Sequence, residues 1–61
     1  MDDNELHEKL KYLFTLYVEE SEKFEKDGVK VSAVRARQAL NDLKPLITLR
    51  RKQIQEKKSQ T

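Results

Sequence analysis

Hydrophobic residues in the second half of the chain recur at alternating steps of four and three, the spacing of one helical face. Only one member of this seam is charged. The seam comprises Val29, Ala33, Ala36, Leu40, Leu43, Ile47, Arg50 and Ile54. It predicts a long amphipathic helix over about residues 32–56, followed by a frayed tail over 57–61.

The first half carries a similar pattern. Its core face is Leu6, Leu10, Leu13, Tyr17 and Phe24, interrupted by Glu20. Asp2, Asp3 or Asn4 can cap this helix, since short polar side chains accept hydrogen bonds from the first free N–H groups. We therefore predict a first helix over about residues 4–27.

Asp27-Gly28 is the strongest turn signal in the chain, because glycine is the usual residue just past a helix end. We expect a turn over 27–31, with Ser32 as a plausible cap of the second helix. Two helices joined by so short a connection must be antiparallel. The fold prediction is all-α: one hairpin domain spanning residues 1–61.

Pro45 falls inside the predicted second helix, where it removes a backbone hydrogen bond to the Asn41 carbonyl. One interpretation is a continuous helix kinked at the proline, because the apolar seam continues in phase through it. The other is a break near Lys44 with a third helix starting at Pro45. We favour the kink.

The small size of the chain argues for self-association. Sixty-one residues without a cysteine have neither a large core nor disulfides to stabilise them. Beyond its core face, the first helix has a wider apolar surface than a lone hairpin needs. We expect a homodimer that forms a four-helix bundle, with an interface made by Phe14, Leu16, Val18 and Leu46.

Charge is distributed unevenly along the chain. Residues 1–28 contain nine acids and four bases, whereas residues 29–61 contain nine bases and two acids. Cations also recur every seven residues beside the second seam, at Lys30, Arg37, Lys44, Arg51 and Lys58. Such a stripe suits an anionic partner such as the DNA backbone, although acids of a second subunit could also meet it.

An enzyme is not indicated. His7 has no cysteine or second histidine with which to hold a metal, and Gly28 is not part of a glycine-rich phosphate loop. We expect no catalytic residues, metal, cofactor or small-molecule substrate. No apolar run is long enough for a membrane span, so a cytoplasmic location is expected.

The segment from Gly28 to Leu40 resembles small bacterial histone-like nucleoid proteins related to the chlamydial linker-histone-like protein. The matching features are a Gly-x-Lys, small residues, an Arg-Ala-Arg and a leucine-rich helix that ends in basic residues; the first helix matches at residues 8–14. The positions are Gly28, Lys30, Ser32, Ala33, Arg35, Ala36, Arg37, Leu40, Leu43 and the cluster Arg50-Arg51-Lys52. The resemblance implies a helical hairpin associated with DNA and chromosome compaction.

Two functions follow from these patterns. The first is sequence-independent, histone-like binding of DNA phosphates in the nucleoid by Lys30, Arg35, Arg37, Lys44, Arg50, Arg51 and Lys52. The alternative is a small helical module for protein–protein interaction with no nucleic-acid role, in which the broad apolar face binds another helix. Salt dependence distinguishes the two functions. The affinity for phosphates falls steeply as the salt concentration rises, whereas the affinity from burial of apolar surface does not.

Overall fold

The protein is a helical hairpin, seen in a computed structural model that describes residues 2–60. Helix α1 spans Asp3–Asp27 and helix α2 spans Lys30–Gln60. No strand occurs within the described part of the chain. The two helices pack along each other in an elongated shape of 48 × 16 × 14 Å. The predicted all-α hairpin is confirmed.

Local signals at both ends of α1 act as the sequence indicates. The Asp2 carboxylate accepts a hydrogen bond from the Glu5 backbone N–H at 2.9 Å, which caps the first turn. At the other end, Gly28 adopts φ 66°, and its N–H donates to the Phe24 carbonyl at 2.9 Å. Only glycine adopts this left-handed conformation without steric cost, so α1 ends at this residue.

Helix α2 is longer than predicted. It begins at Lys30, so Ser32 lies inside the helix, where it is 1% exposed. It also continues through residues 57–60, which were expected to fray; Thr61 lies outside the described residues. An ion pair between Lys57 and Asp3 ties this last turn to the start of α1. The antiparallel packing thus supplies an anchor that residues 57–60 lack on their own.

Pro45 does not interrupt α2, which is helical on both sides of it. This excludes the alternative of a third helix beginning at the proline. Pro45 lies on the exposed side of α2, where water can satisfy the carbonyl that the missing N–H leaves free. The kink itself stays a prediction.

The core is small and uses a different seam of α2 from the one expected. The buried apolar residues are Leu6, Leu13, Ala36, Ala39 and Leu43. On α2 the residues turned toward α1 are Ser32, Ala36, Ala39, Leu43, Leu46, Arg50 and Gln53, all buried or half-buried. Four predicted seam residues are instead exposed: Val29 at 37%, Leu40 at 48%, Ile47 at 48% and Ile54 at 51%. The expected seam shares Ala36, Leu43 and Arg50 with the observed one. The side of α2 that faces α1 therefore includes these three residues but is rotated around the helix axis from the expected side.

Candidate nucleic-acid interface

Four exposed cations, which we call the basic flank, follow one side of α2. They are Lys30, Arg37, Lys44 and Arg51. Seven residues rise about 10.5 Å along a helix, so the flank extends over about 32 Å. Within residues 2–60, no ion pair joins any of these four side chains to a carboxylate. Their charges are therefore available to an anionic partner.

The basic flank borders an open apolar cleft between the two helices. We call this cleft the apolar groove; it is lined by His7, Leu10, Lys11, Phe14, Leu43 and Ile47. Lys44 directly follows Leu43, and Arg51 lies one turn after Ile47, which places both cations at the edge of the groove. No acid lines the groove.

Arg35 lies on the opposite side of the hairpin from the basic flank. Its guanidinium is 3.7 Å from the carboxylate of Glu20, whose side chain is only 8% exposed. Lys23 approaches the same carboxylate at 3.9 Å. Arg35 was predicted to bind phosphate, but in this structure it forms an ion pair with an acid of α1, Glu20.

Arg50 and Lys52 lie outside the seven-residue row of the flank. Arg50 is half-buried in the seam that faces α1, and its guanidinium donates a hydrogen bond to the Gln53 side-chain oxygen at 3.4 Å. Lys52 is exposed but follows Arg51 by one residue, which rotates it about 100° around the helix. Of the seven predicted phosphate ligands, the structure brings four together along one edge.

The residues predicted to form a dimer interface do not share one face. Phe14 lines the apolar groove and is 59% exposed. Leu46 lies on the other side of the hairpin, in a second cleft that is also lined by Lys9, Leu13, Asn41, Asp42 and Pro45. Leu16 and Val18 are half-buried. Leu16 falls three residues after Leu13, on the side of Leu46.

The sequence reasoning missed two parts of this surface. Lys11 lines the apolar groove and pairs with Glu8 of its own helix at 3.6 Å. Leu40 and Ile54 were assigned to the core and are exposed beside the flank. Their seven-residue spacing with Ile47 was a signal that this row forms a continuous stripe, but spacing alone does not tell which stripe faces α1.

Other kinds of site find no support in the described residues. There is no group of three or more histidine or acidic side chains placed to hold a metal ion between residues 2 and 60. No helix in that range is long and apolar enough to cross a membrane.

The comparison with known proteins points to one family. The chain matches the family model of histone H1-like protein Hc1 over residues 4–60, nearly its whole length. No curated protein and no solved structure matches the chain.

Proposed function

The chain belongs to the family of histone H1-like protein Hc1, and on that premise we propose that it binds DNA without sequence preference through the basic flank. The family is one of DNA-packaging proteins rather than enzymes. We accordingly expect the protein in the nucleoid, with the phosphate backbone as its ligand and no cofactor.

The basic flank carries this proposal. Four exposed cations without a carboxylate partner among residues 2–60 lie in one row: Lys30, Arg37, Lys44 and Arg51. The row is about 32 Å long, close to the roughly 34 Å of one turn of duplex DNA. Lysine and arginine that meet phosphates fix the position of a protein on DNA but read no bases. Binding by this row would therefore be sequence-independent.

The uneven charge of the hairpin supports the same surface. Helix α1 contains eight acids and four bases, whereas α2 contains nine bases and two acids. DNA would therefore approach the α2 side and be repelled from the exposed acids of α1, so the field of the molecule orients it before contact.

The test is a titration of labelled duplex DNA at several salt concentrations, with wild type and the double variant Arg37→Gln with Arg51→Gln. If all four flank cations meet phosphates, the slope of log K against log salt is about −3.6. Removal of two of them lowers the steepness by about 1.8 and weakens binding to unrelated sequences alike.

A control variant removes the same charge elsewhere. Lys9 and Lys26 are exposed lysines of α1 outside the flank. The double variant Lys9→Gln with Lys26→Gln has the same net charge as the flank variant but should keep the wild-type slope. If both variants lose the same steepness, net charge rather than the flank governs binding. If wild type does not bind even at low salt, the proposal is wrong.

A second function, binding to another protein by the apolar groove, is favoured by one observation. Phe14 and Ile47 are 59% and 48% exposed in a groove that no acid lines. The affinity of binding through these apolar contacts would be nearly independent of salt over the concentrations used in the DNA titration. It would also be unchanged in the double variant Arg37→Gln with Arg51→Gln.

A further inference from the structure

We propose that Lys23 and Arg35 form a second contact for the DNA backbone, on the side of the hairpin opposite to the basic flank, and that the buried carboxylate of Glu20 competes with phosphates for them. A hairpin whose two cations leave Glu20 would join two duplexes, one on each side. The identity of the ligand rests on the proposed function, whereas the competition between Glu20 and an anion can be measured without DNA.

The second contact begins with the position of Arg35. Two residues rotate about 200° around a helix, so Arg35 and Arg37 lie on nearly opposite sides of α2. Lys23 of α1 joins Arg35 there, because both head groups approach the same carboxylate oxygen of Glu20, at 3.9 and 3.7 Å. One cation from each helix is therefore held beside the other, on the side that the basic flank does not reach.

Both cations are open to solvent. The side chains of Lys23 and Arg35 are 58% and 59% exposed, whereas that of Glu20 is 8% exposed. The two contacts to Glu20 are longer than the roughly 3.2 Å limit of an ordinary N–H···O hydrogen bond. Lysine has three N–H donors and arginine has five. These donors can therefore meet phosphate oxygens that approach from the solvent side.

Glu20 opposes such an approach. A phosphate that comes near Arg35 also comes near the Glu20 carboxylate, and two like charges at short distance raise the free energy of the complex. If the phosphate draws Arg35 away, the buried carboxylate loses a counter-ion. That loss is costly because the second oxygen of Glu20 already has no hydrogen-bond partner within the described residues. Both effects weaken phosphate binding at this side of the wild-type hairpin.

Asp42 confines the second contact to one place. It is exposed and follows Arg35 by seven residues, so it lies on the same side of α2. A phosphate backbone that ran along this side would meet its carboxylate, whereas the basic flank presents a cation at each seven-residue step from Lys30 to Arg51. The second contact is thus a single point. It becomes effective when several hairpins lie between the same two duplexes, because linked contacts act together.

The thickness of the hairpin suits a position between two duplexes. Its two short dimensions are 16 and 14 Å. Both exceed the screening length of about 10 Å at 0.1 M salt, so the repulsion between duplexes on opposite sides is largely screened. A layer of hairpins can therefore separate two duplexes and contact both.

The first experiment measures the competition at Glu20 without DNA. Inorganic phosphate is titrated into the full chain, and the NMR signals of the Arg35 and Arg37 side-chain N–H groups are followed. Glu20→Gln should lower the phosphate concentration that half-saturates the Arg35 shift on the order of tenfold, and should leave that of Arg37 unchanged. Glu19→Gln is the matched control, because it removes one exposed acid of the same helix, and should behave as wild type. An equal Arg35 response in all three proteins would overturn the role of Glu20.

The second experiment measures whether the hairpin joins two duplexes. An immobilised duplex of about ten helical turns captures a labelled duplex of the same length when protein connects them. Glu20→Gln should reach half-maximal capture at a protein concentration on the order of tenfold lower than wild type or Glu19→Gln. Addition of Arg35→Gln to Glu20→Gln should reverse this gain. The circular dichroism signal of each variant verifies that it is folded.

The outcomes separate this inference from the proposed function. If no variant binds DNA but the Arg35 response to phosphate depends on Glu20, the proposed function is wrong and the competition at Glu20 is confirmed. If single duplexes bind but wild type and Glu20→Gln capture the second duplex equally, the second contact is wrong and the proposed function is unaffected. A gain in Glu20→Gln that Arg35→Gln does not reverse would show that net charge, not this contact, joins the duplexes.

Discussion

Glu20 of α1 and Arg35 of α2 form an ion pair across the hairpin, with 3.7 Å between the guanidinium nitrogen and the carboxylate oxygen. The two partners differ sharply in exposure: the Glu20 side chain is 8% exposed and that of Arg35 is 59% exposed. The second carboxylate oxygen of Glu20 is buried without a hydrogen-bond partner in the described residues. A buried charge thus depends on a partner that reaches in from solvent.

Loss of Arg35 should destabilise the hairpin. Arg35→Ala leaves the buried Glu20 carboxylate with only Lys23 nearby, and we expect a loss of about 1–2 kcal/mol in the free energy of unfolding. Lys23→Ala is the matched control and should cost less than about 0.5 kcal/mol, because its pair with Glu20 lies within one helix and does not join α1 to α2. Urea denaturation at one fixed protein concentration measures both. Equal losses in the free energy of unfolding would mean that the ion pair between the helices stabilises the hairpin no more than the pair within α1 does.

Replacement of Glu20 by an apolar residue should relieve the same site. Glu20→Leu removes the unsatisfied carboxylate from the core, and the free energy of unfolding should be unchanged or rise by about 1 kcal/mol or more. In the Glu20→Leu background, Arg35→Ala should then cost almost nothing. A double-mutant cycle from these variants measures the coupling, and additive costs would contradict the ion-pair account.

Arg35 and Arg37 should differ in their effect on DNA binding although they are two residues apart. Arg37→Gln removes a cation of the basic flank and should reduce the salt slope by about 0.9. Arg35→Gln removes a cation that already faces Glu20, so its slope should stay close to wild type. Salt titrations of labelled duplex compare the two variants directly. A larger effect of Arg35→Gln would show that DNA contacts the other side of α2.

Gly28 should be hard to replace for conformational reasons alone. A Cβ atom at this position would meet nothing within 4 Å, yet the backbone has φ 66°. Gly28→Ala should therefore cost about 1 kcal/mol, and Gly28→Asn clearly less, since asparagine tolerates the left-handed region better. Thermal melts followed by circular dichroism rank the two variants. An alanine variant as stable as wild type would show that the turn can rearrange.

Pro45 should be a source of instability that the fold tolerates. Pro45→Ala restores one backbone hydrogen bond inside α2 and removes the ring that crowds the preceding turn, so stability should rise by about 1–3 kcal/mol with the fold unchanged. The melting temperature is compared at matched protein concentration, because dimerisation would make it concentration-dependent. A lower melting temperature would show that the helix geometry at the proline is required.

Several features of the hairpin are local and could be predicted from the sequence. Asp2 caps α1 and Gly28 ends it because each acts within one helical turn of its own position. The seven-residue spacing of Lys30, Arg37 and Lys44 places them on one side of any helix that contains them. The hairpin and the basic row could therefore be predicted without knowing which side of one helix packs against the other.

Which side of α2 faces α1 was decided by tertiary structure. The helix has two overlapping apolar seams, and the one with larger side chains, Leu40, Ile47 and Ile54, was the natural expectation. A single neighbouring helix covers only one of them. Two residues join α1 to α2, so the helices start close together, and the side with small residues at Ser32, Ala36 and Ala39 permits this approach.

The same rotation decided how the cations are divided. It directs Arg35 to Glu20 and buries part of Arg50, while it leaves Arg37 and Lys44 exposed beside the groove. In the sequence these four residues are equivalent positive charges on one helix. They become different only when α1 supplies a buried carboxylate on one side of α2 and an apolar edge on the other. The sequence by itself determined that a basic helix would form, and the packing of two helices decided which of its charges meet α1 and which remain exposed.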